Sequence, residues 1–119
     1  MKWIIGLLMV WSALLSDVIA VASDGNNLKS SISSQASRCD YYIFIDENGK
    51  MLEALQNPHK DVKGGASSRL VEMLKEKKVS QIIASDFGEK LTMSLESYDI
   101  KYTFYEGNIN GFIQEVLKK

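Results

Sequence analysis

The chain has 119 residues, of which 45% are hydrophobic and 24% charged, and its formal net charge is -1. That length fits one core and not two ordinary domains, and the near-neutral charge supplies no basic field for nucleic acid. Cys39 is the single cysteine, so no intramolecular disulfide can form and the core alone must hold the fold.

The first segment, "MKWIIGLLMVWSALLS", has one lysine followed by apolar residues from Trp3 to Val10, then Trp11, Ala13, Leu14 and Leu15. This is the layout of a secretory signal, and it is shorter than the roughly 20 apolar residues of a membrane span. Residues 1–17 are therefore expected to be a signal peptide or an N-terminal membrane anchor, and 18–119 the domain. The protein would be exported, periplasmic or extracellular, or held at the membrane by that segment. Ala20-Val21-Ala22 fits the small-residue cleavage rule, but cutting there removes a strand the fold needs, whereas cutting near Ser16 spares it. The alternative is a start assigned too early and a cytoplasmic protein beginning near Asp17.

Val18 to Ala22 forms an apolar run ending in Ser23-Asp24-Gly25, which predicts a buried strand and a turn. "NNLKSSISSQASRCD" is rich in serine and asparagine and predicts a loop. "YYIFIDENGKMLEALQN" then places two β-rich runs around Asn48-Gly49, a pair able to take the positive φ angles of a tight hairpin. Asn57-Pro58 ends the second run, because proline cannot donate to a ladder.

After the loop "HKDVKGG", Leu70, Met73, Leu74 and Lys77 recur at helical spacing. Val79 to Ala84 is the next strand, without polar alternation, as expected where helices cover both faces. Asp86 and Glu89 have the spacing of a capping box before a helix whose face is Phe87, Leu91, Leu95 and Tyr98. Ile100 to Tyr105 predicts the last strand, and Ile109, Phe112, Ile113, Val116 and Leu117 an amphipathic helix to the end, with Asn108 as N-cap.

The order β, β-hairpin, α, β, α, β, α implies an α/β fold: a mixed five-stranded sheet with one antiparallel strand, an antiparallel edge and helices on its faces. A right-handed crossover puts the first strand beside the one ending at Ala84. Ser23-Asp24 and Ser85-Asp86 then meet at the carboxyl ends of adjacent parallel strands, where α/β sheets form ligand crevices. Asp86-Phe87-Gly88 is no kinase signature, since the glycine-rich phosphate loop, strand lysine and catalytic-loop aspartate are missing.

"IAVASDG", the serine-rich loop ending in "SRCDYYIFID", "NP" followed by "GGAS", and "IIASDFG" leading into a helix together resemble the dinitrogenase iron-molybdenum cofactor biosynthesis family of nitrogenase accessory domains. The resemblance runs from about Val18 to the end. It implies a ribonuclease H-like three-layer fold without hydrolytic activity, carrying or binding a metal–sulfur cluster, either iron-molybdenum cofactor-like or a molybdenum-copper sulfide. Where many relatives have His-Phe-Gly before an arginine, this chain has Gln35-Ala36-Ser37 before Arg38, and Gln35 is a poor ligand for a soft metal.

The candidate metal ligands are Cys39, whose thiolate Arg38 would favour, and His59, the only histidine. Their plain alternatives are a small apolar residue at a strand start and a solvated loop side chain. Gly64 and Gly65 open a helix whose N–H groups suit an anion, or simply make a tight entry turn. The candidate cofactor-binding set is Ser23, Asp24, Gly25, Arg38, Gly64, Gly65, Ser85 and Asp86. No catalytic residue is expected, and the protein partner is unknown. Asp24 and Asp86 also raise a magnesium-dependent ribonuclease H-like enzyme, which normally needs further converging carboxylates and a basic surface. A third reading is an interaction module that keeps the fold without a bound metal.

Overall fold

In a computed structural model, which describes residues 17–118, the described residues form five strands and three helices around one sheet. The leader expected over 1–17 lies outside the described residues apart from Asp17. Among the described residues no helix is long and apolar enough to cross a membrane.

The strands are β1 (Val18–Ser23), β2 (Tyr41–Asp46), β3 (Met51–Gln56), β4 (Val79–Ala84) and β5 (Lys101–Phe104). Their order in the sheet is β3-β2-β1-β4-β5, with β1 parallel to β4, β4 parallel to β5, and β2 antiparallel to both of its neighbours. The sheet is thus mixed with one reversed strand, β2, and its β3 edge pairs antiparallel, as expected; β3 itself runs in the direction of β1, because it reverses on β2 and β2 has already reversed on β1.

Side-chain alternation sends β1 to both sides. Ala20 and Ala22, with Tyr42, Phe44, Ile82 and Ala84, face helices α1 (Ala66–Glu76) and α2 (Glu89–Ser97) through Leu70, Val71, Leu74, Leu91 and Leu95. Ile19 and Val21, with Ile43, Ile45 and Ile83, face Ile109, Phe112 and Ile113. Those three belong to α3 (Ile109–Phe112) and the π-helical turn Ile113–Leu117 that continues it. Both faces of β1 are covered, and in β4 the polar Ser80 and Gln81 sit at the half-buried start while Ile82, Ile83 and Ala84 are buried.

The Asn48-Gly49 hairpin forms, with φ +86° at Gly49 only. Asp46 closes it by accepting from the backbone N–H groups of Asn48 and Lys50, each at 2.9 Å. The capping box of Asp86 and Glu89 does not form: Gly88 is the N-cap of α2, at φ +78°, without a side-chain cap. Phe87 precedes the helix yet is buried, whereas Tyr98 is exposed and lies under the Lys75 ammonium at 4.4 Å. Asn108 does cap α3, accepting from Gly111 N–H at 2.7 Å. On α1 the buried stripe is Leu70, Val71 and Leu74, and Lys77 is the C-cap, reaching Glu53 on β3 at 2.8 Å.

Candidate functional site

The carboxyl ends of β1 and β4 are adjacent, as their parallel pairing requires. The serine-rich loop crosses these ends and is pinned there. Ser33 N–H donates to Ala22 O at 2.8 Å and Ser33 O accepts from Ser85 N–H at 3.0 Å, so one residue joins the two strand ends. Isolated bridges Ser23–Ile32 and Ser31–Asn108 hold the same loop to β1 and to the start of α3.

Above these ends opens a cleft of about 410 Å³, lined by Asp24, Ser33, Ser34, Gln35, Arg38, Cys39, Asp40, Lys60 and Ser85 together with Ile32. A smaller groove of about 220 Å³ shares Ser34, Gln35 and Arg38 with it and is bounded further by Ala36, Ser37, Asp86, Phe87 and Gly88. Of the residues expected at the site, Asp24, Arg38, Cys39 and Ser85 line the cleft and Asp86 the adjoining groove. Ser23 is buried beneath, its hydroxyl donating to Gly25 O at 2.6 Å, so both act on the turn rather than in the cleft. Gly64, Gly65 and His59 line neither cavity.

Arg38 extends from the serine-rich loop to the loop after β3. Its Nη1 donates to Lys60 O at 3.0 Å and to Val62 O at 2.7 Å. Lys60 in turn pairs with Asp40, and that carboxylate raises the ammonium's pKa through hydrogen bonding and charge. Asn57 makes the third tie: its amide donates to Ser37 O and Cys39 O, and its Oδ1 accepts from His59 N–H. His59 is therefore on the same loop as Lys60 and is fixed through its backbone.

The thiol of Cys39 is 3% exposed and donates to Tyr41 O at 3.1 Å. Burial pushes its pKa up to about 11, so it is a protonated thiol at neutral pH. This corrects the expectation that Arg38 would hold a thiolate, because the guanidinium is directed at carbonyls of residues 60 and 62 instead. Coordination by Cys39 would require loss of that proton and of the bond to Tyr41. Beside it, Tyr42 donates to Ala36 O at 2.6 Å, and burial raises the phenol as well. Among the described residues no three of His, Cys, Asp and Glu converge as metal ligands.

Sequence reasoning missed Lys60, Asp40, Ser33 and Asn57. Asn57 had a signal, since a turn asparagine accepts through its side-chain oxygen from the backbone N–H two residues on, as Oδ1 does from His59 N–H. The Asp40–Lys60 pair had none, as its members are 20 residues apart.

Solved structures share this fold. The apo form of the orange protein from Desulfovibrio gigas superposes with TM-score 0.78 at 20% identity, covering 87% of this chain and 88% of that one. A protein described as NifB from Thermotoga gives 0.68 at 27% identity over 82% and 84% of the chains. One described as a dinitrogenase from Methanocaldococcus jannaschii gives 0.58 at 16% over 87% and 89%. A search of curated proteins finds no match. The family described as dinitrogenase iron-molybdenum cofactor matches residues 17–119, which is the whole described domain, and the chain belongs to that family.

Proposed function

We propose that this domain is a non-enzymatic binding or carrier module for a metal–sulfur cluster, of the iron-molybdenum or molybdenum-copper sulfide kind, taken as anionic cargo in the cleft beyond β1 and β4. The family supports the class of cargo. The observation that carries the reading is the placement of Arg38, Lys60 and the hydroxyl and amide groups of Ser33, Ser34 and Gln35 around one cleft at the strand ends.

These groups suit an anion held by charge and N–H or O–H donors rather than one bonded through protein ligands. Cys39 is buried with its proton, and Gln35 stands where relatives carry histidine. The ribonuclease H-like architecture belongs to the same proposal and is supported by the order β3-β2-β1-β4-β5 with only β2 reversed. A hydrolytic role is not supported by the carboxylates, since Asp24 and Asp86 face different cavities.

The alternative, an interaction module without metal, is favoured by the exposed side chains of Phe104 at 58% and Met93 at 63% on β5 and α2. One experiment separates the two. Protein kept free of oxygen is loaded with tetrathiomolybdate and copper(I), desalted, and assayed for molybdenum, copper and iron by mass spectrometry. Near-stoichiometric metal in wild type, retained in Cys39→Ala and reduced about tenfold or more in Arg38→Ala, is expected, because a charged hydrogen-bond donor to an anion contributes roughly 1.5–3 kcal/mol. A wild type that leaves the column free of metal removes the carrier reading and favours the interaction module.

A further inference from the structure

The charge around the cleft is balanced. Two cations, Arg38 and Lys60, are matched by two carboxylates, Asp24 and Asp40, all four lining the same space. An anionic cargo therefore meets a cleft with no net positive charge, and a paired cation in it can serve the cargo only by leaving its carboxylate.

The structure shows which pair can. Arg38 Nη1 is bonded to two backbone carbonyls of the 57–63 loop, those of Lys60 and Val62, and so holds the backbone of Lys60 at the cleft. The Lys60 side chain is tied only through its ammonium, which bonds to Asp40 Oδ1. Both members are about half exposed, at 47% and 45%. Exposed pairs of this kind are weak, and a long lysine side chain can exchange partners without moving the backbone.

We propose that Asp40 is an internal competitor for the cargo: it holds Lys60 when the cleft is free of anion, and binding transfers the Lys60 ammonium from Asp40 to the anion. Asp40 thereby sets a threshold. A monoanion gains little by replacing one carboxylate with another single charge, whereas a polyanion offers Lys60 a stronger partner. The residue selects for highly charged cargo, while Arg38, besides facing the cleft, fixes through Nη1 the loop on which Lys60 is carried. This inference rests on the anion-binding reading above.

The test is equilibrium dialysis of the full chain against tetrathiomolybdate, a sulfide-bearing dianion, with bound molybdenum measured for wild type, Asp40→Asn, Lys60→Gln and the double variant. Asp40→Asn is expected to bind about fivefold more tightly, the scale of releasing one partly exposed pair, and Lys60→Gln more weakly than wild type. In the Lys60→Gln background the gain from Asp40→Asn should shrink below about twofold, since the two residues then have no interaction left to remove. An equal gain in both backgrounds would mean that Asp40 merely repels the anion, and the exchange would be refuted. Unchanged affinity in Asp40→Asn, with wild type binding, would refute competition while leaving anion binding intact. Uptake by none of the four would overturn the anion-binding reading, and this inference with it.

Discussion

The side-chain amide of Asn57 donates to the carbonyl oxygen of Cys39 at 2.9 Å, tying the end of β3 to the loop that enters β2. The same amide reaches Ser37 O at 3.2 Å, while Oδ1 accepts from His59 N–H at 2.9 Å. One 8%-exposed side chain thus joins the two loops that flank the cleft. Asn57→Ala leaves these backbone groups without their partner and is expected to destabilise the domain by about 2–3 kcal/mol in urea unfolding. A loss under about 0.5 kcal/mol would mean that water replaces the amide.

Arg38→Lys keeps the charge and loses the two-carbonyl contact to residues 60 and 62, because an ammonium on a flexible stem does not reproduce the guanidinium geometry. Amide exchange over residues 60–63 should accelerate by about tenfold while exchange in β1 and β4 is unchanged. Acceleration spread equally over the strands would show that Arg38 supports the core rather than this loop.

The pH dependence of stability follows from Cys39. Its pKa in the folded protein is about 11 against 9.0 for an ordinary thiol. Below pH 9 both states carry the proton and the thiol adds no slope. Between about pH 9 and 11 the unfolded chain releases the proton and the folded one keeps it, so stability falls with rising pH by roughly 2–3 kcal/mol. Tyr42, raised by burial, adds a loss that starts near its ordinary value of 10.0. Cys39→Ala should remove the part that begins near pH 9 and keep the later part, as read from urea midpoints between pH 8 and 11. Native protein at pH 8 should correspondingly resist iodoacetamide until it is unfolded.

Gly49 has φ +86°, and a Cβ added there would lie 2.5 Å from Ile113 Cγ2. The hairpin turn and the C-terminal π-helical turn are therefore in contact through a position that tolerates no side chain. Gly49→Ala combines left-handed strain with a clash and is expected to cost about 2–3 kcal/mol, measured by thermal unfolding. A loss from Gly49→Ala that mostly disappears in an Ile113→Ala background, which lacks Cγ2, would assign it to the clash.

Two capping positions separate what spacing suggests from what geometry makes. Asn108→Ala removes a bond to Gly111 N–H and should cost about 1 kcal/mol. Asp86→Ala, at an exposed residue that caps nothing, should change stability by less than about 0.5 kcal/mol. Equal losses in chemical denaturation would restore the capping role of Asp86.

The strands and helices were legible because their cause is local and periodic. Val18–Ser23 and Val79–Ala84 lack alternation, since both faces of central strands are covered, and Asn48-Gly49 has backbone freedom that only a turn uses. The meeting of Ser23-Asp24 with Ser85-Asp86 also followed, through the handedness of the crossover. The Asp86 box failed because Gly88 offers a left-handed entry to α2, and a spacing rule does not see which residue stops the preceding loop. By itself, then, the sequence determined the family, and it determined the elements, the hairpin and the end of the sheet at which the cleft opens, which depend on side-chain period and turn chemistry. Only the tertiary structure decided that Cys39 is a buried thiol facing Tyr41 O, that Arg38 reaches the loop at 60–62, and that Lys60 meets Asp40. Direction and burial of a side chain are set by what packs around it, and those neighbours are distant along the chain.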